Sequence, residues 1–520
     1  MVRKKISKLP IVHPIVNKYI RKTPLQALRS VVSKDGMGVY ASSDTLFRGA
    51  VFGRDSLEVA EDLILLRPRL VKTILITMAS LQGEEFREDN EEEPGKILHE
   101  YRRAVVDRRR LKDTSKHIFD TLSELWGGDE KSVVYYGSLD ATPLFIRVLC
   151  RYCDYYGPEI LKRRIVLRSG HQVSMGIVLE NALSFLLGEL KRSKSGLLEY
   201  RRLGPHGLLI QAWKDSKEFY VHNNGELANH NQPISSIEVQ AIGYDALKLA
   251  SKYIPSKHNI CVSEATKLRD KTIELLWLPK ASFFALGTDF DSQNRLRIID
   301  IETANPAGLL DSMFFDDLPP EDRQKYISGI ARNIMGTHFL TDAGIRSKGL
   351  SEASLIPFWD YHGSFTTWPK ETYDIAKGLR RQGFPKLATE LENRLLNAIN
   401  AIRNYSEFVY VDFRGRVLGA ASAAHHHAEL VLVNSVDRPE KIQAWTVSAV
   451  VAILANRKYK KLVPRIKKRN DASPGWQDEI EREVLVHIPV MPWLRSKRTL
   501  SARYPSYPYE VKGKKDKIIN

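Results

Sequence analysis

The sequence predicts a mainly α-helical fold in which paired helices form a ring. About a dozen helical segments follow one another between residues 56 and 457, joined alternately by short turns and by long polar or aromatic loops. Only short stretches have the composition of strands, and the chain shows neither a βαβ alternation nor a glycine-rich phosphate loop. In a ring of this kind, the long loops meet at one mouth while the apolar helix faces form the wall.

Capping residues and prolines predict several of the helix starts. Asp55 or Ser56 is placed to cap a helix beginning at Leu57, and Pro68 is expected to open the next one. Asp140 follows a loop and precedes a helical stretch, so it is the expected N-cap of that helix. Pro233 suits the first position of a later helix.

Strand-like stretches are short and lie between helices. They cover residues 282–287, 295–301 and 408–418, and we expect them to form small β-hairpins in the loops. The domain expectation is a basic lead-in over residues 1–40 and a helical ring over residues 41–460. A basic and partly disordered extension is expected over residues 461–520.

Composition and charge indicate an ordinary globular protein. The chain has 520 residues, of which 43% are hydrophobic and 27% are charged. Lys and Arg number 79 against 62 Asp and Glu, which gives a net charge of +17. Because the excess lies largely near the two ends, solvated basic tails explain it better than a nucleic-acid or membrane surface does. We expect no nucleic-acid and no membrane partner, and the sequence leaves the oligomeric state open.

The cysteines and the N-terminus favour a cytoplasmic protein. Cys150, Cys153 and Cys261 are too few for a disulfide framework, and the first two are expected in the core of a helix. No apolar run reaches the roughly 18 residues of a membrane span. Pro10 and Pro14 interrupt any signal-like apolar segment near the start.

The stretch Gln211-Ala-Trp-Lys-Asp-Ser216 has the features of a sugar-cleaving site. The face of Trp213 can stack on a pyranose ring, and the carboxyl group of Asp215 can protonate a glycosidic oxygen. Taken alone, the same residues are better explained as a core tryptophan and a turn-capping aspartate. Other stretches of the chain decide between the two interpretations.

Seven stretches together resemble one enzyme family. They are Phe52-Gly-Arg-Asp-Ser56, Glu93-Pro-Gly-Lys-Ile-Leu-His-Glu100, Tyr136-Gly-Ser-Leu-Asp-Ala-Thr-Pro143, Trp213-Lys-Asp-Ser216, Ile237-Glu-Val-Gln240, Tyr361-His-Gly-Ser-Phe-Thr-Thr-Trp-Pro369 and Gln443-Ala-Trp445. In this order, over residues 45–455, they are similar to bacterial and archaeal amylo-α-1,6-glucosidases, which are glycogen-debranching-enzyme-like proteins. These belong to the six-hairpin glycosidases, so the resemblance implies an (α/α)6 toroid with small β-hairpins in its loops.

The resemblance also implies the catalytic pair. The aspartate of the matching loop is the general acid in these relatives, which places that role on Asp215. Their general base is a glutamate in a short segment that Tyr405-Ser-Glu-Phe-Val409 matches best, which places that role on Glu407. Ser406 stands where the family has proline, and Glu429, which follows three histidines, is therefore a rival for the base.

The same resemblance implies a set of substrate-binding residues. Arg54 offers a planar fork of donors and Asp55 accepts hydroxyl hydrogens, which suits adjacent sugar hydroxyls. Each of the other candidates has packing within a loop as its alternative. These others are His99, Glu100, Tyr136, Asp140, Trp213, Lys214, His362, Trp368 and Trp445. No metal and no cofactor is implied.

The sequence therefore predicts an inverting glycoside hydrolase that acts on α-glucosidic linkages of glycogen-like or related oligosaccharides. No stretch before the ring predicts the β-sandwich that many debranching-type relatives carry, which leaves room for a smaller oligosaccharide substrate. The alternatives are the same fold acting on trehalose, a mannoside or another small glycoside, and a glycan-binding protein without catalysis.

Overall fold

The computed structural model describes residues 22–43, 47, 49–104, 113–355, 360–418, 439–458 and 475–488. The rival base Glu429 and the three histidines before it lie outside these residues. Most of the expected 461–520 extension lies outside them as well, and the expected boundaries at residues 40 and 460 stay a prediction.

Helices account for most of the described regular structure. They are α1 (Pro24–Val31), α2 (Gly53–Leu63), α3 (Pro68–Ser80), α4 (Asp113–Leu125), α5 (Ala141–Tyr156), α6 (Met175–Arg192), α7 (Ile237–Tyr253), α8 (His258–Leu276), α9 (Pro320–Ile334), α10 (Pro369–Arg381), α11 (Pro385–Ile402), α12 (Ala444–Lys458) and α13 (Trp476–His487). A 3-10 segment, Asn305–Asp311, lies between α8 and α9.

Six of these segments form a closed inner ring. In chain order they are α2, α5, α7, the 3-10 segment, α10 and α12; each packs on the next, and α12 packs back on α2. A second helix lies outside each of them. Here α3, α6, α8, α9 and α11 each cover the inner segment that precedes them in the chain, and α1 covers α12. The predicted ring of paired helices is confirmed, and six inner and six outer segments make it an (α/α)6 toroid.

The helix starts agree with the sequence at Pro68 and differ at two other places. α2 begins at Gly53, so Asp55 lies in its first turn and is not its cap. The reason is that α2 follows directly from a strand, and the N–H of Gly53 donates to the carbonyl of His99 at 2.9 Å. Pro233 precedes a strand, Ile234–Ser236, because these residues pair within a sheet before α7 begins.

Short antiparallel strands lie in the loops between the helices. They are β1 (Val51–Phe52), β2 (Glu100–Arg103), β3 (Ser132–Tyr135), β4 (Arg164–Val166), β5 (Gln172–Ser174), β6 (Glu199–Tyr200), β7 (Ile234–Ser236), β8 (Trp277–Leu278), β9 (Phe283–Phe284), β10 (Gly287–Phe290), β11 (Leu296–Ile299), β12 (Leu340–Thr341), β13 (Gly344–Ile345), β14 (Thr366–Thr367) and β15 (Val409–Tyr410). The expected loop hairpins are confirmed, and the longest sheet has the order β11-β10-β7-β6.

Two of these pairings bring distant motifs together. In the sheet β1-β2-β3, Phe52 lies opposite Glu100, which in turn lies opposite Tyr135. In the pair β14–β15, Thr367 lies opposite Val409. The first pairing places the start of α2 beside the residues around position 100, and the second places Trp368 beside the segment that contains Glu407.

The interior of the ring is ionic where the inner helices face its axis. Lys370 contacts Asp62 at 3.2 Å, Lys377 contacts the same carboxylate at 3.3 Å, and Arg151 contacts Asp245 at 3.2 Å. Because buried charges are costly unless paired, these contacts set the relative positions of α2, α5, α7 and α10.

The cysteines lie in the core as expected. Cys150 and Cys153 are buried and unpaired on the inner helix α5, and Cys261 is buried and unpaired on α8. In the part of the chain that the structure describes, no helix combines the length and the apolar character needed to cross a membrane.

Candidate active site

One cavity receives residues from the beginning of every inner segment. The first turns of the six segments, or the residues directly before them, contribute Arg54, Asp140, Glu238, Asn305, Glu371 and Trp445 to its lining. Helix N-termini carry a partial positive charge, which favours carboxylates at these positions. The mouth therefore collects acidic side chains around a polar cavity.

Asp215 lies in the loop before α7 and is exposed to solvent at this mouth. The hydroxyl of Tyr361 donates to its Oδ1, and Arg54 is near enough to stabilise its charge. Protein atoms nevertheless crowd the carboxyl group, and this desolvation outweighs both effects and raises the pKa of Asp215 above its usual range. A raised pKa suits a carboxyl group that serves as an acid.

Glu407 lies two residues before β15 and is half-buried. Its backbone N–H donates to the carbonyl of Glu440 at 2.9 Å, and the N–H of Glu440 donates to its Oε2 at 3.2 Å. Burial raises the pKa of Glu407 to about 8, and repulsion by Glu440, Asp55 and Asp215 acts in the same direction. Glu407 therefore lies within electrostatic reach of both Asp215 and Asp55.

Arg54 and Asp55 occupy the first turn of α2 and are both buried. Arg54 forms an ion pair with Asp140 at 2.9 Å, and the hydroxyl of Ser138 donates to the other oxygen of Asp140 at 2.7 Å. Asp140 is the N-cap residue of α5, as predicted, but its side chain makes no capping bond because these two donors take both of its oxygens.

Asp55 is held by the opposite end of the chain. Gln443, just before α12, donates to its Oδ1 at 2.9 Å. Burial raises the pKa of Asp55 to about 7, against the lowering effect of Arg54. Asp55, Asp140 and Asp215 thus lie around one guanidinium, and Glu407 is within electrostatic reach of Asp55 and Asp215.

Three tryptophans form an aromatic wall beside these carboxyls. The ring of Trp213 lies 5.4 Å from that of Trp368 and 6.3 Å from that of Trp445, edge to face in both cases. His362 stacks on Trp368 at 4.7 Å, and burial lowers its pKa well below the usual value, so the ring is neutral. Trp213 and Trp445 line the cavity, where their faces can contact a sugar.

Lys214 is fully buried behind this wall. Its ammonium contacts Glu371 at 2.6 Å and lies 4.9 Å from the ring centre of Trp213. Burial lowers the pKa of Lys214, and burial raises the pKa of Glu371 to about 7. Lys214 therefore supports the wall from behind while its partner Glu371 lines the cavity.

The remaining expected binding residues differ in where they point. His99 lies close to Arg54, whose charge adds to burial in lowering the pKa of His99 to about 3. Glu100 forms an ion pair with Arg102. The hydroxyl of Tyr136 donates to the carbonyl of Leu81 at 2.9 Å, which directs this side chain towards the outer helix α3. Of the expected site residues, four line the cavity, namely Arg54, Asp140, Trp213 and Trp445. The others lie around or behind it, namely Asp55, His99, Glu100, Tyr136, Lys214, Asp215, His362, Trp368 and Glu407.

Sequence reasoning did not single out several residues that the structure places here. Tyr361 contacts Asp215, Gln443 holds Asp55, and three further polar side chains line the cavity, namely Glu238, Asn305 and Glu371. Tyr361, Glu238 and Gln443 belong to matched stretches, so position within those stretches was a usable signal. Asn305 and Glu371 carry no such signal, because only the closure of the ring brings them to the cavity.

Comparison with solved structures shows similarity to glycoside hydrolases. A GH63 mannosylglycerate hydrolase from Thermus thermophilus in complex with glucose superimposes with a TM-score of 0.53 and 12% sequence identity, covering 85% of this chain and 99% of that one. The same enzyme in complex with Tris gives a TM-score of 0.54 and 12% identity, covering 83% and 99%. This chain has the six-hairpin glycosidase fold. No protein-family model and no curated protein sequence matches it.

An uncharacterized conserved protein from Thermus thermophilus superimposes to the same degree, with a TM-score of 0.53 and 12% identity over 85% of this chain and 99% of that one. At 12% identity these similarities establish the architecture. The chemistry of the site has to be argued from the residues of this chain.

Proposed function

We propose that this protein is an inverting glycoside hydrolase in which Asp215 is the general acid and Glu407 is the general base. The observation that supports this most strongly is the meeting of the two carboxyl groups, which are 192 residues apart in sequence (407 − 215), at one mouth. Burial raises the pKa of both carboxyl groups, and shifted pKa values of this kind are typical of groups that transfer protons in active sites.

The proposed reaction follows from the position of the two groups. Asp215 gives its proton to the glycosidic oxygen as the bond from that oxygen to the anomeric carbon breaks. Glu407, in its ionised form, takes a proton from a water molecule whose oxygen attacks the anomeric carbon from the opposite face. The products leave Asp215 ionised and Glu407 protonated, and proton exchange with solvent restores both.

For the substrate, we propose α-glucosidic linkages of glycogen-like or related oligosaccharides. An α-mannoside is the second candidate, because the similar solved structures include a mannosylglycerate hydrolase. Assay of a panel of α-glucosides, trehalose and α-mannosides, with the released sugars identified by chromatography, separates the candidates. Release of mannose alone would overturn the glucoside proposal while leaving the catalytic pair in place.

Leaving-group dependence tests the two roles separately. A glycosyl fluoride needs no proton on its leaving group, whereas an ordinary glycoside does. Asp215→Asn is therefore expected to lose roughly two to four orders of magnitude in kcat on the glycoside but to keep most of its activity on the matching fluoride. Glu407→Gln is expected to lose activity on both. The opposite pattern would exchange the roles, and equal losses in both variants on both substrates would contradict the assignment.

Stereochemistry tests inversion independently. An inverting pair stands about 6.5–9.5 Å apart to admit water, and the first product of an α-glycoside is then the β-anomer. Proton NMR recorded before mutarotation distinguishes the anomers. An initial α-anomer indicates a covalent intermediate and rules out Glu407 as a general base acting through water.

A further inference from the structure

Two buried oxygen atoms in the cavity have no hydrogen-bond partner. They are Oε1 of Glu238 and Oδ1 of Asn305, on side chains that are 8% and 3% exposed and that both line the cavity. Buried acceptors without partners are rare in folded proteins, so each calls for a donor from a ligand or from ordered solvent.

The orientation of both side chains is set by the protein. The hydroxyl of Ser236 donates to Oε2 of Glu238 at 2.6 Å, and the amide nitrogen of Asn305 donates to the same oxygen at 2.9 Å. Because only the amide nitrogen can donate to a carboxylate, the oxygen of Asn305 must point away from Glu238. The two free oxygens therefore belong to side chains of fixed orientation that line the cavity.

Three donors without hydrogen-bond partners among the described residues line the same cavity. They are Nε of Arg54, Nε of Arg147 and Nε1 of Trp445. Arg54 lies on the first segment of the inner ring, Arg147 on the second and Trp445 on the sixth, whereas Glu238 and Asn305 lie on the third and fourth. The free donors and the free acceptors therefore come from different segments of the ring.

This arrangement fits a neutral ring that carries several hydroxyl groups, because each hydroxyl can both donate and accept. It disfavours an anionic sugar, since a uronate carboxylate beside Glu238 would meet a like charge. It also disfavours a sugar that lacks the hydroxyls on this side, since the buried acceptors would then stay without donors.

We infer that Glu238 and Asn305 form a hydroxyl-binding subsite that selects a neutral, fully hydroxylated sugar over uronic acids and deoxy sugars. The inference rests on the proposed function, because it assumes that the cavity receives a sugar. Neither residue transfers a proton in the proposed reaction, and their role is to bind and orient the ring.

Calorimetric titration tests the subsite without any need for turnover. The probes are methyl α-glucopyranoside and methyl α-mannopyranoside, their monodeoxy analogues at each position, and methyl α-glucopyranosiduronate. With the better-binding parent, the wild type is expected to lose about 10- to 100-fold in affinity when one particular hydroxyl is removed, as loss of a hydrogen bond to a charged group predicts. Glu238→Gln is expected to bind the parent sugar more weakly than the wild type by a similar factor. Removing that same hydroxyl from the sugar should then weaken its binding to this variant no further.

Glu321→Gln is the matched control. Glu321 lies in the first turn of the outer helix α9, just as Glu238 lies in the first turn of α7, but it is exposed. Its affinity for every probe should equal that of the wild type. Circular dichroism and thermal unfolding check the fold of each variant, and Asn305→Ala supplies a second measurement of the same coupling if Glu238→Gln does not fold.

Equal affinities of Glu238→Gln and wild type for the parent sugar would overturn the subsite, as would uronate binding as tight as that of the neutral sugar. If the wild type hydrolyses glycosides and no coupling is found, only the subsite fails. If coupling is found but no glycoside is hydrolysed, the subsite stands and the catalytic proposal fails. Absence of binding to every probe would overturn both.

Discussion

Asp55, Asp140 and Asp215 lie around the guanidinium of Arg54, and Glu407 lies within electrostatic reach of Asp55 and Asp215. Burial lowers the pKa of Arg54, but its acidic neighbours outweigh this and raise it, so its positive charge is constant. Glu407 is repelled by both Asp55 and Asp215, so ionising these three carboxyl groups together is unfavourable. The protonation state of each carboxyl group therefore depends on the others.

This coupling predicts the pH dependence of catalysis. Glu407 must be ionised to act as a base, and burial raises its pKa to about 8, so the limb of the kcat/KM profile that this group controls should lie near pH 8 and not near pH 5. Asp55→Asn keeps an acceptor for Gln443 but removes a charge that repels Glu407. The pKa of Glu407 should therefore fall, and the limb of the pH profile that it controls should move to lower pH. A pH–rate profile of both proteins checks this. An identical limb in both would show that Asp55 does not influence the base.

Tyr361 is expected to position the acid. Its hydroxyl donates to Asp215, which stabilises the ionised carboxylate and so lowers the pKa of Asp215. In Tyr361→Phe the pKa of Asp215 should rise, and the alkaline limb of kcat should move upward by about one unit. Because the acid also loses its orientation, kcat on a glycoside should fall about tenfold while hydrolysis of the glycosyl fluoride changes little. Equal losses on both substrates would mean that Tyr361 serves another purpose.

At the scale of elements, strand pairing determines where the inner helices begin. α2 approaches the backbone beside β2 so closely that a Cβ on Gly53 would lie 2.0 Å from the carbonyl oxygen of Leu98. Glycine at this position lets the first turn of α2, with Arg54 and Asp55, lie against the sheet β1-β2-β3. Arg54 and Asp55 are thus placed by contact of a helix with a strand.

The ionic interior predicts large stability effects at particular carboxylates. The side chain of Asp62 on α2 is fully buried and contacts Lys370 and Lys377 of α10, and it accepts from Ser448 of α12 at 2.7 Å. Asp62→Ala should therefore destabilise the fold by about 3–5 kcal/mol, because the buried ammonium groups lose a partner. Urea unfolding followed by circular dichroism measures the change.

Asp154 provides the control for this prediction. It contacts Lys252 at 3.3 Å near the surface of the protein, where an ion pair contributes little. Asp154→Ala should cost less than about 1 kcal/mol. Similar losses in the two variants would show that the interior ion pairs have no special weight in the stability of the ring.

At the scale of the whole molecule, the ring is completed by α1, the first helix that the structure describes. α1 supplies the outer partner of α12, and α12 in turn contacts α2. A capping box at Thr23 and Gln26 starts α1, and Ala27, Leu28 and Val31 form its buried face. Stability of the last inner helix therefore depends on a helix more than 400 residues away in sequence (444 − 31 = 413).

Truncating this face should weaken the whole ring. Leu28 is 4% exposed, and Leu28→Ala should cost about 2–5 kcal/mol through lost burial and the cavity left behind. The exposed neighbour Arg29 serves as the control, with Arg29→Ala expected within about 0.5 kcal/mol of wild type. Thermal unfolding compares the two. If Leu28→Ala leaves the transition unchanged, α1 is dispensable for closure.

The sequence by itself determined the features that depend on local pattern. Helical periodicity predicted the ring of paired helices, Pro68 predicted a helix start, and the order of loop motifs pointed to Asp215 and Glu407 as residues of one site. These signals lie within a few residues of the element that they describe, so a single segment is enough to recognise them.

Only the tertiary structure decided which side chains face the cavity. Tyr361 reaches Asp215 across 146 residues, and Gln443 reaches Asp55 across 388. Tyr136, which belongs to a matched motif, turns towards the outer helix α3, whereas Asn305, which belongs to none, lines the cavity. The physical reason is that the direction of a side chain is set by packing between distant segments, and that packing exists only once the ring has closed.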